Sequence, residues 1–275
     1  MLRPCTRGRS SAATFGKKTV VRRVAQNGRM HVLPPPGVAD LGLRLQSLGW
    51  VTALFVGGSA ATGDYVAGIS DLDLVALVAG PVDAARQVML STVHTDLDRG
   101  AAAGLNLGCV YVQDAVLHMA DAVHPTWTHG TLQQRTLSGI ARMELVRHGY
   151  PVFGRPPQDV LPPVSDDDVR RAARAELTGY WTRAARRPWW WLNPVIAELG
   201  LTSMARGRHA LTTGQLLTKT QAIDLAHAPP WLVDQMRGRR RGEHVTSPRL
   251  STARIAWRDA RRTTANAKRW TPPSQ

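Results

Sequence analysis

Residues 56–78 read VGGSAATGDYVAGISDLDLVALV, and this stretch decides the fold. The apolar run Leu54–Val56 breaks at Gly57-Gly58-Ser59. Eleven residues separate Ser59 from Asp71, where Asp71-Leu72-Asp73 opens a second apolar run, Leu74–Val78. Small residues at a strand end leave backbone N–H groups exposed, which suits a phosphate cradle. Aspartates at i and i+2 of a strand point to one face, because side chains alternate. Two carboxylates on one face are hard oxygen ligands of the kind a magnesium ion takes. Alone, Gly-Gly-Ser is an ordinary turn and Asp-x-Asp an ordinary solvated edge or cap. Together, between two apolar strands, they are far more specific. A cradle and a carboxylate pair a short helix apart make a site for metal-assisted attack on a nucleotide phosphate.

The flanking sequence builds an α/β unit around this motif. Pro34-Pro35-Pro36-Gly37 is a rigid lead-in to a helix over about 38–47, with Leu41, Leu45 and Leu48 on one face and Gly49 as its stop. Strands are expected over about 51–56, 71–78 and 105–112, with a short fourth at 116–119. Helices are expected over about 82–97 and from the Ser138 cap to His148, and residues 151–154 run extended. His118, His124 and His129 are not at ligand spacing on one element and read as ordinary polar or packing residues.

The stretch 155–163 (RPPQDVLPP) is a proline-rich linker, after which the periodicity is helical throughout. Ser165 followed by three aspartates reads as an N-cap. Further helices are expected over about 193–211, with a bend at Gly200, over 219–226 after the Thr218 cap, from Pro230, and over 248–264. The run Trp189-Trp190-Trp191 reads as inter-helix core, with a ligand-pocket floor as the alternative. The fold class expected is α+β: a small mixed sheet with helices over 30–157, a helical bundle domain over 158–268, and a short tail at 269–275.

Charge is uneven. The net charge of +15 resembles a nucleic-acid signal, but residues 1–29 hold eight Lys/Arg and no acid, and 231–275 hold eleven against three acids. Between them sixteen bases face seventeen acids, so the core is neutral and nucleic acid would be held only through the basic ends. Residues 1–29 are expected to be disordered, resembling a transit peptide or lying ahead of a true start at Met30. No apolar run approaches the roughly 20 residues of a membrane helix. Cys5 and Cys109 give neither a disulfide framework nor metal spacing, so a reducing cytoplasm fits, and a monomer is expected.

Gly58-Ser59 followed by Asp71-x-Asp73 resembles the signature of the nucleotidyltransferase superfamily. More narrowly, residues 50–245 resemble the streptomycin/spectinomycin (3″-type aminoglycoside) adenylyltransferases, through the head motif, Pro-Val-Phe-Gly at 151–154, and LTSMARGRHALTTGQLLTK at 201–219. The resemblance implies that Arg206, the turn Thr213-Gly214 and Lys219 reach back to the nucleotide phosphates, with Arg208 the close competitor to Arg206. It implies ATP as co-substrate, with phosphates over Gly57, Gly58 and Ser59. Mg²⁺ on Asp71 and Asp73 is implied as well. So is transfer of AMP to a hydroxyl of a small-molecule acceptor, with aminoglycosides among the candidates.

One departure stands out. The family usually places a third acid on the strand that here reads Leu105-Asn106-Leu107-Gly108-Cys109-Val110, and no acid lies on it. Asp98 and Asp114 flank the strand away from the expected position. A substrate group, an acid from the helical part of the chain such as Glu144, Glu176 or Glu198, or no chemistry at all fills the gap. Two rival readings follow: a nucleotide-binding protein of this fold with weak or no catalysis, and an enzyme that nucleotidylates protein or RNA.

Overall fold

The computed structural model describes residues 23–26, 29–32, 36–117, 119 and 121–271. Strands β1 (Arg23–Gln26) and β2 (Arg29–Val32) pair as an antiparallel hairpin, where disorder was expected through residue 29. The rest of that expectation lies outside the described residues, as does the side chain of His118.

A six-stranded mixed sheet follows. Its strands are β3 (Val51–Val56), β4 (Leu72–Val78), β5 (Leu107–Gln113), β6 (Val123–Thr128), β7 (Thr131–Thr136) and β8 (Tyr150–Phe153), in the order β7-β6-β5-β4-β3-β8. Among the described strands only the β4–β5 pair is parallel. Its crossover is α3 (Ala84–Arg99), long enough to return the chain to the same sheet edge. The side-chain alternation of β4 sets the layers. Leu72, Leu74, Ala76 and Val78 face a core with α1 (Pro36–Ser47) and α3, while Val75 and Leu77 face one with α4 (Gly139–His148). Asp73, in phase with Val75, therefore belongs to the α4 side.

The expected strand at 116–119 is replaced by a 3₁₀ turn, Asp114–Val116. The sheet instead continues through the β6–β7 hairpin, whose two-residue turn is His129-Gly130, with φ of 50° and 74°. Positive φ at both positions matches the twist of the paired strands.

Beyond a single helical turn, α5 (Pro157–Val160), the chain is helical: α6 (Asp166–Glu176), a π-helical stretch Leu177–Trp181, α7 (Thr182–Ala185), a 3₁₀ turn Pro188–Leu192, α8 (Pro194–Thr213), α9 (Lys219–Asp224), α10 (Pro230–Arg240) and α11 (Arg249–Arg269). Ser165 and Thr218 both form the reciprocal capping box that starts a helix cleanly. Ile140 and Met143 of α4 pack against the helical core, so α4 joins the two halves. Among the described residues no helix is long and apolar enough to cross a membrane.

Trp191 is the largest fully buried side chain, and its indole N–H donates to the Ala184 carbonyl (3.1 Å). Gly200, read from sequence as a bend, lies inside the continuous helix α8 and makes room for that ring: a Cβ there would sit 2.2 Å from Trp191 Cζ3. Trp189 is exposed and Trp190 is stacked beneath Arg187, so the tryptophan run is core and surface, away from the cavities described below. Gly→Ala inside a helix ordinarily stabilises it. Here overpacking reverses the sign: Gly200→Ala is expected to destabilise the fold by about 1–3 kcal/mol in urea unfolding. A gain in stability would show that the ring yields.

Candidate active site

The site begins where β3 ends. Gly57 N–H donates to the Asp73 carbonyl (2.8 Å), tying the turn to β4. That N–H is spent inside the sheet, so the N–H groups without intrahelical partners belong to Gly58, Ser59 and Ala60 of the short helical turn α2 (Gly58–Ala61). Gly58 has φ +53°, and a Cβ there would meet the Asp73 carboxylate at 2.1 Å. Glycine is thus required twice, for the backbone angle and for the approach of backbone to carboxylate.

Asp71 immediately precedes β4 and Asp73 is its second residue. Both are open to a cleft, but the cleft is walled by protein, so Asp73 is poorly hydrated. Burial and then the neighbouring Asp71 charge push its carboxyl up from 3.8 to about 6, against the opposing pull of Arg206 and Lys219. Two repelling carboxylates on one face are a fitting seat for a divalent cation, whose charge offsets their repulsion. Among the described residues no group of three or more His, Cys, Asp or Glu side chains forms a metal cluster, so the protein would contribute these two hard oxygens and leave the rest of the shell to others.

Three cavities meet at this pair. One of about 290 Å³ is lined by Gly57, Gly58, Asp73, Gly108, Arg135 and Glu144. A second, about 380 Å³, continues past Asp71 and Asp73 to Asp98, Asn106 and His129. The third, about 680 Å³ and mostly apolar, runs from Asp71 and Lys219 between Leu199, Leu232 and Met236.

The helical region supplies the cations. Arg206 on α8 donates through Nε to the Leu217 carbonyl (3.0 Å) and through Nη2 to Glu144 of α4. Lys219, at the first position of α9, has no ion-pair partner among the described residues. Arg208, the competitor, points elsewhere, to Asp259 (2.7 Å) and Thr263 (2.7 Å) of α11. Gly214 takes φ 73°, and its carbonyl accepts from Arg147 of α4 (2.9 Å), so the Thr213-Gly214 turn is pinned to the sheet half. The structure thus gathers Gly57, Gly58, Ser59, Asp71, Asp73, Arg206 and Lys219 around one cleft.

Sequence reasoning missed Asp64 and Arg240. Arg240 is buried, and its guanidinium donates to the Asp64 carboxylate (3.0 Å), the Asp64 carbonyl and Ser70 Oγ (2.9 Å). Asp64 also accepts from Thr220 N–H (3.1 Å). This clamp fastens the α2–β4 loop to α9 and α10. Its only sequence signal is the arginine cluster 237–241, which looks like surface charge.

Gly108 pairs with Asp73 across the parallel β4–β5 register and shares its face. A Cβ at 108 would meet nothing closer than 3.7 Å. The bare position is therefore beside the carboxylate pair with space for a side chain. The neighbouring Cys109 is fully buried, and burial pushes its thiol up to about 12, which leaves it inert.

The fold is a nucleotidyltransferase-type α+β architecture, with a helical C-terminal region packed on the motif-bearing sheet. No protein-family model matches the sequence, and no curated protein does. Among solved structures it is similar to spectinomycin adenyltransferase AAD(9) from Enterococcus faecialis, crystallised with ATP and spectinomycin. The TM-score is 0.62 at 13% identity, over 84% of this chain and 98% of that one.

Raising the Asp73 carboxyl has a consequence for stability. The folded state holds this proton to about pH 6, whereas the unfolded chain loses it near 3.8. Stability from this group is thus present below about pH 4 and lost as pH rises to about 6. Asp73→Asn in metal-free protein is expected to raise Tm relative to the parent at pH 7.5 and to leave it unchanged at pH 4. Equal shifts at both pH values would show that the carboxyl is hydrated as in water.

Proposed function

We propose that the protein transfers a nucleoside monophosphate, AMP from ATP, to a hydroxyl of a small acceptor. The observation that carries this reading is the convergence of Arg206 and Lys219, from the helical region, on the Asp71–Asp73 pair beside Gly58-Ser59. The phosphates lie against the N–H groups of Gly58 and Ser59. Arg206 and Lys219 stabilise the charge that builds on the triphosphate, which is commonly the main source of rate enhancement in such transfers. Asp71 and Asp73 would hold magnesium, which when bound would neutralise phosphate charge. The nucleoside enters the large apolar cavity beside Lys219, and the acceptor enters the cavities on the Gly108 side of Asp73. The similarity to an ATP-binding adenyltransferase supports this reading of the fold, and aminoglycosides are the first acceptors to try.

A second reading, binding without transfer, is favoured by the bare Gly108. Pyrophosphate release from Mg-ATP with streptomycin, spectinomycin and related acceptors separates the two. Acceptor-dependent release supports transfer, and tight Mg-ATP binding with no release supports the second.

Both readings share a prediction about binding. Asp71→Asn is expected to abolish the magnesium dependence of ATP affinity in calorimetry. Arg206→Ala and Lys219→Ala should each weaken ATP by about 1.5–3 kcal/mol, the usual worth of a hydrogen bond to a charged group. Unchanged ATP affinity in all three would refute the assignment.

A further inference from the structure

Three acids are available to replace the one absent from β5, and their surroundings separate them. Glu176 accepts from the Trp181 indole N–H (3.2 Å) and lines a small cavity beside Arg206 that Asp73 does not border. Glu198 lines the large apolar cavity, on the nucleoside side, and is held by Arg239 Nε (2.6 Å). Glu144 alone of the three lines the cavity shared by Gly58, Asp73 and Gly108.

Its placement follows from the fold. Ala141 and Leu145 of α4 pack into the core on the Asp73 side of the sheet, and Glu144, three residues after Ala141, lies on the same helical face. Its side chain is only 12% exposed. One oxygen, Oε1, is held by Arg206, whereas Oε2 has no donor among the described residues. Arg206 spends Nε and Nη2 on Leu217 and Glu144, and Nη1 has no protein partner among the described residues. A single guanidinium can therefore hold Glu144 oriented while presenting another N–H to the phosphates.

We infer that Glu144 is the general base of the reaction, in place of the acid missing at Gly108. This rests on the transferase reading above. As the acceptor oxygen bonds to the α-phosphorus, its proton passes to Glu144 Oε2. The bond from the α-phosphorus to the bridging oxygen breaks, and that electron pair leaves with pyrophosphate. Glu144 then returns the proton to solvent.

The test uses the full chain, with Mg-ATP and, as acceptors, water, streptomycin and spectinomycin. Pyrophosphate release and ATP affinity are measured in parallel for Glu144→Gln, Glu144→Asp and Glu144→Gln/Gly108→Asp. Glu144→Gln is expected to lower kcat by about 10²–10⁴-fold, the usual worth of a general base, with ATP affinity within about threefold of the parent. Glu144→Asp should fall between. The double variant should regain at least about tenfold, because its carboxylate stands beside Asp73. Retained turnover in Glu144→Gln overturns the proposal. So does ATP affinity that falls in step with turnover, which would make Glu144 merely a prop for Arg206. A parent protein that binds Mg-ATP but releases no pyrophosphate with any acceptor, water included, overturns it too. Magnesium-dependent ATP binding that survives Asp71→Asn would instead sink the nucleotide reading on which it rests.

Discussion

Asp71 and Asp73 share one end of β4 and repel each other, and the protein around the cleft raises the Asp73 carboxyl further. Much of the surrounding structure answers that conflict. Gly58 carries no side chain because the Asp73 carboxylate occupies the space a Cβ would need. Arg206 and Lys219 bring positive charge from a region more than a hundred residues later in the chain. In the interior a charge without partners is far more costly than one at the surface. The two halves are therefore linked electrostatically as well as by packing, and in the proposed reaction the cleft between them would seat a polyphosphate and a cation.

The link needs mechanical support, and two arginines supply it. Arg240 gathers Asp64, Ser70 and Thr220 from the motif loop and α9. Arg147 reaches from α4 to Gly214 and to Asp166 (2.6 Å). The Arg147 clamp at Gly214 lies between Arg206 and Lys219 in the chain, and the Arg240–Asp64 clamp takes Thr220 just after Lys219, so the segment between the two cations is bonded to the sheet half. Arg240 is nearly fully buried. Its loss would leave Asp64 enclosed without its counter-charge, a larger effect than removal of a surface pair.

Local patterns in the sequence carried most of this architecture. The alternation in residues 71–78, the Ser138, Ser165 and Thr218 caps and the turn Gly58-Ser59 each express one element's own chemistry. The structure has all of them where the pattern puts them. The β6–β7 hairpin escaped notice because Pro125 and the polar run Thr131–Thr136 do not look like strands. Its His129-Gly130 turn was a usable signal all the same. Asp64, Arg240 and the placement of Glu144 were not legible, since each depends on which distant element lies opposite. Gly200 was misread for the same reason: the ring that demands a glycine belongs to another segment.

The bare strand position has a physical logic within this frame. A carboxylate at 108 would stand on the same face as Asp73 and add a third negative charge to a pair that already repels. Arg135 of β7 is the sheet cation that lines the same cavity, and the desolvation that raises Asp73 would act on a carboxylate at 108 too. At Glu144 the same carboxylate reaches the cavity from the opposite wall and arrives already paired with Arg206. The charge is then balanced before any ligand enters. In the proposed reaction Arg206 would also face the nucleotide, so the groups that would hold the phosphates and orient the base are one side chain. An arrangement with the acid on β5 would instead need two separate solutions.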